Sequence, residues 1–179
     1  MSTYIVALDR EVLPEGLVRG RMDTAELVIW RGASGSVHVW EDRCPHRSSR
    51  LSAGRNMGAY LEDPYHGWRF AEDGTVIHVP AEGGKGHPEI SAHVLASAVT
   101  GGFVWASAGV LETGDFAGPP LRPLHFGVSA NRVAAELDPT KTRITPWGAA
   151  ACMVYGIDPD AMAAHRMLTA LRRRLEAAG

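Results

Sequence analysis

Cysteine is scarce in this chain: its 179 residues include only Cys44 and Cys152. Two thiols allow a single pairing, not a disulfide framework, and without an export signal both are expected to stay reduced. An excess of charge of either sign is missing too. Eighteen Lys and Arg stand against 20 Asp and Glu, a net charge of −2, which gives no electrostatic case for nucleic acid or an anionic membrane surface. No apolar run approaches the roughly 20 residues needed to span a bilayer. The opening Met1-Ser2-Thr3-Tyr4 has no charged region followed by an apolar stretch, so export is not indicated and the cytoplasm is the expected compartment. No internal repeat is present.

What is there is β-patterned. Tyr4–Leu8, Glu26–Trp30, Val37–Trp40, Thr75–Val79 and Gly102–Ala106 are rich in β-branched and aromatic residues and are separated by Gly, Pro, Asp and Ser, the mark of short strands. Glu72-Asp73-Gly74 reads as a hairpin turn. Residues 81–86, with three glycines, read as a flexible connection, since no strand-to-helix context supports a phosphate loop. The glycine- and proline-rich stretch 109–123 reads as a linker. The division expected is a mainly β, antiparallel domain over 1–108, then 109–179 as linker and a small strand-plus-helix extension. In that extension strands are expected around Leu124–Val128 and Val133–Leu137, followed by an apolar stretch Ala149–Ile157. Asp158-Pro159-Asp160 offers an N-cap, and Ala161, Ala164, Leu168, Leu171 and Leu175 recur at helical spacing, which predicts a closing helix from about Asp160 to Ala177 with Arg172 to Arg174 solvated. Trp30, Trp40, Trp105 and Trp147 are expected in the core.

Two segments carry chemistry. Cys44-Pro45-His46-Arg47 is followed, after sixteen residues from His46, by Asp63-Pro64-Tyr65-His66-Gly67-Trp68-Arg69-Phe70. The pair resembles the two cluster-binding loops of Rieske iron–sulfur proteins, over roughly residues 4–108. In that family a Cys-x-His and a Cys-x-x-His loop hold a [2Fe–2S] centre, two thiolates on one iron and two imidazoles on the other. The resemblance implies that Cys44, His46, Asp63 and His66 are the cluster- or metal-binding residues, with Asp63 standing where the family has its second cysteine. Taken singly, Cys44 reads as a small core hydrophobe and His46 or His66 as satisfied core imidazoles.

A carboxylate keeps the charge of a thiolate but is a harder ligand, favouring oxygen-type metal sites over iron–sulfide clusters. Three states therefore stand open: a [2Fe–2S] cluster held by Cys44, His46, Asp63 and His66; a single Fe or Zn held by His46, Asp63 and His66 with or without Cys44; or no metal, with Asp63 paired to Arg43 or Arg47 in an emptied pocket. Trp68 is expected to shield the site from solvent.

The tail carries a second, less specific resemblance. Tyr155-Gly156-Ile157-Asp158-Pro159-Asp160 and Ala164-His165-Arg166-Met167-Leu168 look like the closing strand and helix of Rieske oxygenase α subunits of the demethylase type. The catalytic domain of such subunits holds a mononuclear iron by two histidines and an aspartate. Beyond residue 109 the only histidines are His125 and His165, forty residues apart, so no such triad is encoded and no independent oxygenase activity is expected. The resemblance implies an electron-transfer protein or subunit of a ring-hydroxylating or demethylating oxygenase system, partnered by a reductase and a catalytic oxygenase subunit. Its alternative is a cluster-free structural or regulatory subunit. A homo- or hetero-oligomer is expected in either case.

Overall fold

The computed structural model describes residues 2–178 apart from 115 and 117. Along the chain run β1 (Tyr4–Leu8), β2 (Leu17–Met22), β3 (Ala25–Arg31), β4 (Val37–Glu41), β5 (Arg55–Asn56), β6 (Leu61–Glu62), β7 (Arg69–Phe70), β8 (Thr75–Val79), β9 (Lys85–Ser91), β10 (Val94–Thr100) and β11 (Phe103–Ser107). Then come β12 (Leu124–Phe126), helix α1 (Ala130–Ala134), β13 (Thr142–Pro146), β14 (Cys152–Gly156) and helix α2 (Ala161–Ala177).

Antiparallel pairing arranges the first eleven strands into two sheets: six strands in the order β1-β11-β10-β4-β3-β2, and a five-stranded meander β5-β6-β7-β8-β9. The outer strands of the larger sheet approach each other at Gly20, where a Cβ would lie 2.8 Å from Ile29 Cδ1 and 3.3 Å from the Val6 carbonyl. Trp30, Trp40, Leu51, Leu61 and Phe70 are fully buried in one cluster that also takes in Cys44 and Trp68. Trp30 and Trp40 meet edge to face at 5.1 Å, the arrangement favoured by the ring quadrupoles. This core supports the two loops that carry the candidate site.

The extension is a three-stranded sheet, order β12-β14-β13, with α2 packed on it. Asp160 caps the helix by accepting the Ala163 N–H at 3.0 Å. Leu168, Leu171 and Leu175 are buried against Phe126, Val133 and Val154, each such side chain contributing about 1.5–3 kcal/mol. Ala164 is only half-buried. Arg173 and Arg174 are exposed, as expected, but Arg172 is half-buried; Arg174 reaches Glu136 at 2.8 Å. The expected strand over Val133–Leu137 is a correction: Ala130–Ala134 is helical and the chain turns after it. Ala130, Arg132 and Ala134 suit a helix, and Ser129 precedes it at the cap position. Trp147 is half-buried, not core.

The extension leans on the β domain. Thr145 Oγ1 donates to the Ile5 carbonyl at 2.5 Å in a buried contact. The Asp23 N–H reaches the Pro146 carbonyl at 2.7 Å. Phe103, Phe116, Tyr155 and Ile157 complete an apolar seam with Ile5 and Leu8. Residues 109–123 carry no strand or helix among their described residues, and 115 and 117 of that expected linker lie outside the described ones. Among the described residues no helix is long and apolar enough to cross a membrane.

Candidate functional site

The first loop leaves β4 at Asp42. This buried carboxylate accepts the Ser52 N–H at 2.7 Å and the Ser52 hydroxyl at 2.6 Å, which fixes the two ends of the loop to each other. Between them the chain closes a tight ring. The Cys44 N–H donates to the Ser49 carbonyl and the Ser48 N–H to the Cys44 carbonyl, both at 2.8 Å. Ser48 takes a left-handed conformation, φ 58°, uncommon for a residue with a side chain.

The second loop connects β6 to β7. The Asp63 N–H donates to the Trp68 carbonyl at 2.8 Å, which brings the loop's ends together. Gly67 turns the chain with φ 67°, and a Cβ there would press on Pro80 at 3.3 Å, so this position suits glycine.

The loops bring all four predicted residues into one place. Cys44 is 1% exposed and Asp63 3%, while His46 and His66 are half-buried. The two imidazoles meet edge to face with centroids 4.6 Å apart. Trp68 lies flat on His46, planes 5° apart at 4.5 Å, and so shields that ring as expected. Tyr65 lies against His66, centroids 4.0 Å apart and planes tilted by 54°, and is 69% exposed.

Asp63 is engaged on both oxygens. Its Oδ1 accepts the Tyr65 N–H at 3.0 Å and the His66 N–H at 2.8 Å. Its Oδ2 accepts the hydroxyl of Ser49, in the other loop. The expected partners Arg43 and Arg47 do not take part; the carboxylate sits too deep among backbone donors, and both arginines are exposed. Nothing in the sequence spacing links Ser49 to Asp63, so this partner was not foreseen. Burial alone pushes the Asp63 carboxyl up. The His66 N–H, the Ser49 hydroxyl and the Tyr65 N–H outweigh it and hold the group below the ordinary carboxylate range. Burial also pushes the Cys44 thiol up to about 11; the His46 N–H offsets part of the rise and the neighbouring Asp63 charge adds to it.

These groups can be tested against the [2Fe–2S] centre that the loop resemblance implies. One observation fits: His46 Nδ1 is buried and has no hydrogen-bond partner, as a ligand nitrogen would be. The rest does not. The fourth donor is a hard carboxylate whose two oxygens accept three hydrogen bonds within the loops. Among the described residues no three His, Cys, Asp or Glu side chains stand in an arrangement that could hold a metal ion. The donor set in this structure does not fit the cluster. Cys152, the other thiol, is free and buried in the extension. His125 lies on β12 with its ring 5.2 Å from Trp147, and His165 on α2.

Comparison with known proteins bears on descent. The family model for the Rieske [2Fe–2S] domain matches residues 2–96. The chain is 34% identical over 121 residues to a 4β-methylsterol monooxygenase of Methylococcus capsulatus, a match covering 66% of this chain and 32% of that protein. It is 34% identical over 110 residues to the phthalate 4,5-dioxygenase oxygenase subunit of Pseudomonas putida, covering 60% of this chain and 25% of that one. The chain thus spans about a third or less of these relatives.

Among solved structures, apo dicamba monooxygenase superposes with a TM-score of 0.67 at 23% identity, over 74% of this chain and 44% of that one. The same enzyme with non-haem iron and dicamba gives a TM-score of 0.73 at 15% identity, over 86% of this chain and 74% of that one. Loop register, antiparallel fold and family match agree: the chain belongs to the Rieske [2Fe–2S] domain family, with relatives that are oxygenase components.

Proposed function

We propose that this chain is a cluster-free, non-catalytic Rieske-fold subunit of an oxygenase-type system, which pairs with a chain carrying the catalytic iron. The observation that carries this reading is the Asp63 carboxylate, turned onto its own loops at the position where the family has a thiolate ligand. Two further features support it. The tail segment Tyr155–Asp160 and the helix after it resemble the closing strand and helix of Rieske oxygenase α subunits, as expected if a catalytic core has been lost between them and the Rieske domain. His125 and His165 sit on different elements and offer no paired-histidine site for oxygen chemistry.

The boundary of that loss falls in 109–179, with 1–108 as the Rieske-like domain. The subunit would occupy a Rieske position in a homo- or hetero-oligomer, and cytoplasmic residence goes with the reading. The test is light scattering on the full chain, alone and mixed with a catalytic oxygenase subunit from the same cell. A mixed oligomer whose turnover differs from that of the catalytic subunit alone is expected. No association and unchanged turnover would overturn the proposal.

A second reading is favoured by the unpartnered, buried His46 Nδ1: an electron-transfer subunit that receives electrons from a reductase, with Cys44, His46, Asp63 and His66 holding a [2Fe–2S] cluster. It requires Asp63 to turn an oxygen to the metal that is now engaged by its own loops. A single Fe or Zn on His46, Asp63 and His66 requires the same. Iron, zinc and sulfide content separate these cases.

A further inference from the structure

We infer that the Asp63 carboxylate replaces the cluster as the anion that closes the two loops, so that this part of the fold becomes ordered without metal. The inference deepens the cluster-free reading and rests on it. Loops built to surround an anionic centre aim backbone N–H groups inward, and those groups must find an acceptor once buried. Here one side chain supplies it. Oδ1 takes the consecutive N–H groups of Tyr65 and His66 at 3.0 and 2.8 Å. Oδ2 crosses to the first loop and takes the Ser49 hydroxyl, while the Ser49 carbonyl holds the Cys44 N–H at 2.8 Å. The hydrogen-bonded path therefore runs from the second loop, through Asp63 and Ser49, to the residue at the family's first ligand position.

Burial of an unpaired carboxylate is strongly unfavourable. At 3% exposure, Asp63 is compensated by three charge-assisted hydrogen bonds, which are among the stronger kinds. A cysteine in its place could not accept these donors with comparable strength, since sulfur is a weak acceptor. The substitution therefore changes which fourth residue suits these loops: with metal a thiolate, without it a carboxylate. Asp63 acts here as a positioning residue, holding His66 and Tyr65 at the tip.

Amide hydrogen exchange on the full, iron-free chain, read residue by residue by NMR, tests this. The Tyr65 and His66 amides are expected to be protected in the wild type. Asp63→Ala should speed their exchange roughly 10- to 100-fold, as expected for losing the charged acceptor of a part-buried donor, with β11 amides unchanged. Asp63→Asn, which keeps an Oδ1 acceptor, should retain most of the protection. Equal protection in wild type and Asp63→Ala would overturn the inference, as would protection that appears only when iron and sulfide are added. If Asp63→Ala does not fold, the iron-free wild type decides alone: unprotected Tyr65 and His66 amides there would overturn it. Failure to pair with a catalytic subunit would leave these rates untouched, so the two proposals fail separately.

Discussion

Ser49 and Asp63 belong to different loops and are joined by a hydrogen bond from the serine hydroxyl to Oδ2. Asp63 stands where the family resemblance places its second cluster cysteine. The bond makes the loop pair a single hydrogen-bonded unit, resting on the Trp30, Trp40 and Phe70 core.

The first prediction concerns the missing thiolate. Cys44, His46 and His66 remain in family register, so Asp63→Cys should raise the iron and sulfide taken up on reconstitution severalfold over wild type. Side-by-side iron analysis checks it. Equal, negligible iron in both would mean that the loops have moved beyond the reach of one substitution.

Acid should loosen the site through Asp63. Its folded pKa lies below the ordinary carboxylate range, so its contribution to stability is complete above about pH 4 and is lost as the pH falls through the depressed folded value. Urea unfolding at a series of pH values should show a decline on the acid side that is shallower in Asp63→Asn. An identical slope in both proteins would remove Asp63 from the account.

Leu168 anchors α2. It is 2% exposed among Phe126, Val133 and Val154, and truncation leaves a cavity. Leu168→Ala should therefore cost about 2–5 kcal/mol, measured by urea denaturation of the full chain. A cost under about 0.5 kcal/mol, the range of surface substitutions, would show that the helix is not packed as described.

Both thiols should be slow to react. Burial pushes Cys44 and Cys152 up to about 11, leaving little thiolate at pH 8, and the thiolate is the reactive form. A chromogenic disulfide reagent should titrate neither thiol quickly in the native protein and both after unfolding in urea. Fewer than two thiols in urea would point to a disulfide that the structure does not contain.

Much of the fold was legible because the local signals agree with one another. Tyr4–Leu8 and Thr75–Val79 are strands over their expected spans, where β-branched residues cluster next to clear breakers such as Gly74 and Pro80. The Asp160 cap and the leucine spacing gave α2 to within a residue. β2 was missed because Arg19, Gly20 and Arg21 dilute its pattern; its place is set by pairing with β3. The Val133–Leu137 segment failed for the opposite reason, since an apolar run too short to show a period was read as strand. At the site, register fixed which residues meet, but not how Asp63 is used. Its partners follow from where the loop backbone aims its N–H groups and from a serine fourteen residues away, a relationship that spacing alone does not encode.

The most direct test of the account is the iron and acid-labile sulfide content of wild-type protein purified without oxygen, read with its visible absorption. The closed loops predict a colourless protein with iron and sulfide far below two per chain. A red-brown protein that holds two irons and two sulfides per chain, and bleaches on reduction, would contradict it.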